Sequence, residues 1–137
     1  MAHSDFEHQE QAALIQWADC SPNPVLPGMI GDYLYAVPNG SNKSMAARMK
    51  FKREGLRPGV PDLVLAIPLM QHSWPGLYIE MKKQRQHYRG MAEAENAVSE
   101  TQKLWHDRLT IAGYLVHTCY GWEEARKIIE QYLNHGR

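Results

Sequence analysis

Two short apolar runs, LVLAI at 63–67 and LYIEMK at 77–82, stand on either side of a loop that holds Pro68 and Pro75. Runs of this length, rich in branched residues, read as strands, and the first is apolar throughout, as suits a central strand covered on both faces. Paired as an antiparallel hairpin across 68–75, they bring together residues whose numbers sum to about 142. Asp62 then lies opposite Glu80. The segment Pro58-Gly59-Val60-Pro61 ahead of Asp62 is held extended, because a residue before proline avoids the helical region. Side chains alternate along a strand, so Glu80 and Lys82 project to one side while Ile79 and Met81 pack on the other.

Around this hairpin the pattern predicts a helix over residues 5–18 with Phe6, Ala13, Leu14 and Trp17 on one face, capped by Ser4 or Asp5 and ended by Pro22 and Pro24. A strand is expected over YLYAV at 33–37, running into the turn Pro38-Asn39-Gly40, and a helix from about Lys43 to Glu54 that stops at Gly55. Ser99-Glu100-Thr101-Gln102 reads as a capping box opening a helix with Leu104, Trp105, Leu109 and Ile111, closed by Gly113. A strand YLVHTCY follows. The last helix, from about Trp122 to Leu133, has a broad apolar face. This order predicts an α/β fold, a small mixed β-sheet flanked by α-helices.

The 137 residues suit one domain over 1–137. Apolar runs fall short of a membrane span and the polar N-terminus lacks a signal-peptide pattern, so a cytoplasmic protein without membrane association is expected. Cys20 and Cys119 are distant and lack CxxC spacing, which reads as two inert thiols. His87, His106 and His117 show no ligand spacing and read as surface or packing residues. Net charge is zero, so a global positive field is excluded as a route to nucleic acid. The charge is uneven, however. Lys43, Arg48, Lys50, Lys52, Arg53 and Arg57 are accompanied only by Glu54, and Lys82, Lys83, Arg85 and Arg89 form a second block free of acids. Such runs usually solvate a surface. Two of them flanking a carboxylate pair favour a phosphate-bearing substrate.

Asp62 and Glu80 offer hard oxygen ligands suited to Mg²⁺ or Mn²⁺, with positions left for water and phosphate. Lys82 beside them could orient a nucleophilic water or offset charge on a phosphate. The bland alternative is a solvated strand end with an ordinary Glu80–Lys82 pair. Against it, Glu80 interrupts an otherwise buried strand, where an unpartnered charge is costly.

Together GLRPGVPDLVL, GLYIEMKK and SETQKLWHDRLTIAGYLV, with PNG after the first strand, resemble the virus-type replication-repair nuclease (VRR-NUC) domain of the restriction-endonuclease-like PD-(D/E)xK superfamily. The likeness covers nearly the whole chain. It implies a restriction-endonuclease-like core in which Asp62 and Glu80 bind Mg²⁺ or Mn²⁺, Lys82 is catalytic, and a glutamate of the first helix completes the site. Glu7, with Gln11 one turn on, fits that glutamate, and Glu10 and Asp5 are rivals. Gln102 matches a family glutamine near the site, a role that competes with the cap. Asn39 fits a loop near substrate, although turn formation alone explains it. The resemblance further implies DNA as partner, no organic cofactor, and, by analogy with small members, a homodimer resolving four-way junctions. Met29, Ile30, Tyr33 and Tyr35 could form that interface or the core. Flap, single-strand or RNA cleavage, and a non-catalytic binding module, are the alternatives. Residues 84–98 form a longer link than in compact members, read as a solvated insertion, a flap or a strand-end helix.

Overall fold

The structure, a computed structural model, describes residues 3–38 and 44–136, the side chains of His3 and Ser4 excepted. Asn39, Gly40 and Lys43 therefore lie outside the described residues.

Four strands pair in the order β1 (Leu34–Ala36), β2 (Leu63–Leu65), β3 (Leu77–Lys82) and β4 (Leu115–Tyr120). The first two pairings are antiparallel and β3–β4 is parallel, so the sheet is mixed. Leu63 faces Ile79 and Leu65 faces Leu77, the register in which residue numbers sum to 142. Leu63, Leu65, Leu77, Ile79 and Met81 point to one side of the sheet. There they meet Leu14 and Ala18 of α1 (His3–Asp19) and Ala125, Ile129, Tyr132 and Leu133 of α5 (Trp122–Asn134) in a single buried core. The Tyr132 hydroxyl donates to the Ile67 carbonyl at 2.7 Å, tying α5 to the chain leaving β2. On the opposite side Phe51 of α2 (Met45–Arg53) and Trp105 of α4 (Glu100–Ile111) line a cavity with Tyr35, Val64 and Tyr78, and α3 (Met91–Asn96) lies in the β3–β4 crossover.

Several local expectations are corrected. α1 begins at His3, so Ser4 and Asp5 lie inside its first turn and do not precede it. α2 begins after Lys43, where Ser44 caps it by accepting from the Ala47 amide at 3.2 Å. Leu104 and Ile111, expected on the apolar face of α4, are 48% and 87% exposed, and of that set only Leu109 is buried. Ile30 joins the core, whereas Met29 and Tyr35 are exposed. Residues 84–98 are largely exposed, as a solvated insertion would be, but they are anchored to the fold. Their Ala94 is buried, and its carbonyl accepts from the Tyr120 hydroxyl at 2.8 Å. Cys20 and Cys119 are free thiols, and burial pushes the Cys119 thiol up to about 12. No described helix is long and apolar enough to cross a membrane.

Candidate active site

Asp62 precedes β2 and is fixed at both ends of the residue. Its carbonyl accepts from the Val37 amide at 2.8 Å, prolonging the β1–β2 ladder, and its Oδ2 accepts from the Met81 amide at 2.7 Å. The hairpin register thus places its carboxylate beside Glu80, within hydrogen-bonding reach. Lys82 follows two residues later on the same face of β3. Glu80 is 2% exposed and Lys82 6%, which removes the solvated strand end as an explanation.

Gln102 organises this group. It closes the capping box of α4, its Oε1 accepting from the Ser99 amide at 2.9 Å and its own amide donating to Ser99 Oγ at 3.2 Å. The same Oε1 accepts from Lys82 Nζ at 3.2 Å, and Nε2 donates to Glu80 Oε2 at 3.2 Å. Cap and site contact, competing readings from sequence, are both made. Gly59 permits the approach of α4. It has φ +92°, and a Cβ there would stand 2.6 Å from Thr101 Cγ2 and 2.7 Å from the Thr101 carbonyl oxygen.

The electrostatics follow from burial of two carboxyls side by side. Asp62 is pushed up to about 8, first by desolvation and then by Glu80, against the pull of the Met81 amide and Lys82. Glu80 is also raised by burial, with Glu7 pushing the same way and Asp62 and Lys82 pulling it down. The interaction between the two carboxyls raises Asp62 and lowers Glu80, which favours the neutral form of Asp62 beside an ionised Glu80.

The rival glutamates of α1 separate. Glu10 accepts from Gln84 Nε2 at 3.2 and 3.3 Å and from the Trp122 amide at 2.9 Å, so it joins α1 to the end of β3 and the start of α5. Glu7 acts electrostatically on Glu80. Asp5 is exposed and Gln11 half-buried, both on α1. His106, expected at a surface or in packing, is a site neighbour missed from sequence. It lies one turn beyond Gln102, and its Nε2 faces Glu80 Oε1 at 3.7 Å. That i, i+4 spacing on a capped helix was the available signal. His87 stacks on Phe6 and His117 is half-buried.

The basic positions divide. Arg48, Lys50, Lys52, Arg53 and Arg57 are exposed on and after α2. Lys83 is 3% exposed with its Nζ over the Tyr88 ring, and Arg85 pairs with Glu124 at 2.7 Å while lying over Tyr120. Within the second basic block Lys82 and Lys83 are thus buried, whereas Arg85 and Arg89 remain exposed and pair with Glu124 and Glu93.

Among the described residues no three His, Cys, Asp or Glu side chains form a complete cation cage. The donor set nonetheless fits a hard divalent ion. Glu80 Oε1 is buried without a hydrogen-bond partner beside a second carboxylate, and Mg²⁺ takes one or two protein carboxylates and fills its shell with water and phosphate oxygens.

The VRR-NUC domain family matches residues 5–123 of the chain. Among solved structures, a chain described as a VRR_NUC domain protein superposes with a TM-score of 0.74 at 25% identity, over 95% of this chain and 89% of that one. None of the curated proteins matches.

Proposed function

This chain belongs to the VRR-NUC family and is of nuclease type, and from that premise we propose that residues 1–137 act as a single-domain, divalent-metal-dependent DNA endonuclease. The observation that carries this reading is the convergence of Asp62, Glu80 and Lys82 on one buried strand end, held by Gln102. Asp62 and Glu80 would hold Mg²⁺ or Mn²⁺, with Glu7 drawn in from α1 to complete the set, and the ion when bound polarises the phosphate and lowers the pKa of an attacking water. Lys82, its ammonium aimed by Gln102 Oε1, donates to the phosphate oxygen that gains charge as water enters and the leaving oxygen departs. Burial of these groups strengthens each electrostatic contact over its value in water. The exposed cations from Arg48 to Arg57, with Lys43 and Asn39, contact the DNA backbone, so binding weakens as salt rises.

Branched DNA is the proposed substrate and a homodimer the proposed cutting unit. Resolving a four-way junction takes two incisions related by a two-fold axis, and each chain supplies one site.

Cleavage of labelled four-way junction, flap, duplex and single-stranded DNA in Mg²⁺, Mn²⁺ or EDTA tests this, with Glu80→Gln as control. The expected result is metal-dependent junction cutting, reduced at least about 100-fold in Glu80→Gln. Cutting confined to flaps or single strands removes the junction assignment, and no cutting of any substrate removes the enzyme. In light scattering the dimer predicts twice the 15.7 kDa chain mass.

A further inference from the structure

The sheet face that bears the carboxylates continues into a cavity that the cleavage chemistry leaves unused. Tyr35, Val64 and Tyr78 are cross-strand partners on β1, β2 and β3. With Phe51 of α2, Trp105 of α4 and Arg57 they line a space of about 650 Å³. Tyr78 precedes Glu80 by two residues on one strand, so the two share a face at a Cα spacing of roughly 7 Å. Val64 of β2 and Asp62 just before it stand in the same relation on the neighbouring strand. α4 walls both regions, with Gln102 and His106 against Glu80 and Trp105 against the cavity.

Aromatic rings from four separate elements surround this space, and Tyr35 is 54% exposed, so it is open to a ligand. The rim carries Arg57, and the exposed Lys52 and Arg53 stand close by in the chain. Among the described residues Glu54 is the one carboxylate in the lining. Apolar π surfaces beside cations, continuous with a phosphodiester-cutting site, match a nucleotide: base inward, phosphate at the rim.

We propose that this cavity receives an unstacked nucleobase of the strand being cut, adjacent to the scissile phosphate. The inference rests on the nuclease reading of the neighbouring carboxylates and adds a substrate class to it. Extracting a base from a paired stack is unfavourable, and least so where the base is already unpaired. Efficient cutting therefore selects DNA with unpaired or easily extruded bases at the incision, such as branch points and single-stranded arms. Stacking accepts any base, so the cavity imposes little sequence preference.

The test uses the full chain with oligonucleotides carrying 2-aminopurine at successive positions around the cut, bound in Ca²⁺. Fluorescence is expected to be quenched at one position by the wild type and by Trp105→Phe. In Trp105→Ala and in Tyr35→Ala the quenching is lost and affinity falls about tenfold. Tyr35 is exposed, so its variant keeps the fold, which circular dichroism melting verifies. DNA binding without quenching at any position, or quenching unchanged in both alanine variants, overturns the proposal. Cleavage by the wild type in Mg²⁺ is measured separately. Cleavage that is indifferent to abasic residues beside the cut leaves a nuclease and removes the base site. Quenching without cleavage leaves the base site and removes the nuclease.

Discussion

The backbone amide of Met81 donates to Asp62 Oδ2 across 2.7 Å, although the two residues lie 19 positions apart. The bond does two things. It orients one carboxylate toward its neighbour Glu80, and it stabilises the ionised form of a group whose surroundings otherwise favour the neutral one.

Burial wins that contest, which gives the metal-free protein a defined pH response. Asp62 sits at about 8 in the fold against its ordinary 3.8, so the native state retains a proton that the unfolded chain releases. Stability from this group is complete below about pH 4 and is lost as pH rises toward 8. Thermal melts in EDTA are expected to show Tm declining across that window, with a flatter slope in Asp62→Asn. Because a cation needs the deprotonated pair, Mn²⁺ affinity should rise through the same range with proton release. A pH-independent affinity by calorimetry would contradict the paired-carboxylate site.

Glu7 and Glu10 should differ in kind. Glu10→Ala removes the acceptor of the Trp122 amide and both Gln84 contacts, and is expected to cost about 1–3 kcal/mol in denaturant unfolding. Glu7→Gln, which keeps the size of the side chain, should weaken metal binding and cleavage by at least about tenfold. The reverse pattern would assign the third carboxylate to Glu10.

Ser99 and Gln102 share a cap, but only Gln102 reaches the site. Ser99→Ala should lose about 0.5–2 kcal/mol of stability with cleavage at a permissive temperature largely kept. Gln102→Ala should lose comparable stability and a further 10–100-fold in kcat, by roughly the loss seen for groups that orient metal ligands. Equal kcat in the two variants would show that Gln102 acts through the helix alone.

Gly59 packs on Thr101 with a positive φ, so Gly59→Ala is strained by its backbone and by the helix. The expected cost is about 2–4 kcal/mol, read from denaturant midpoints. A neutral outcome would mean that α4 can move away from the Pro58–Pro61 segment without loss.

What was legible in the sequence was local or strictly periodic. The β2–β3 register followed from two apolar runs and one short loop, and it placed Asp62 against Glu80 correctly. The capping box at Ser99 was equally readable. Contacts between distant elements were not. Glu7 and Glu10 lie on one helix three residues apart, and only the docking of Gln84 and the α5 start commits Glu10 to structure. Lys83 and Arg85 read as cationic surface because their partners, Tyr88, Tyr120 and Glu124, are supplied by the folded crossover, β4 and α5. His106 carried no metal-ligand spacing, and its place beside Glu80 emerges when α4 docks on the sheet.

The four contacts of the Gln102 side chain and amide make the first turn of α4 and the alignment of Glu80 with Lys82 a single event. Helix ends open locally at free energies well below global unfolding. On warming, catalytic competence should therefore disappear through reversible fraying of one turn while the sheet and the α1–α5 core stay intact, and the working temperature of the protein is set by a helix end.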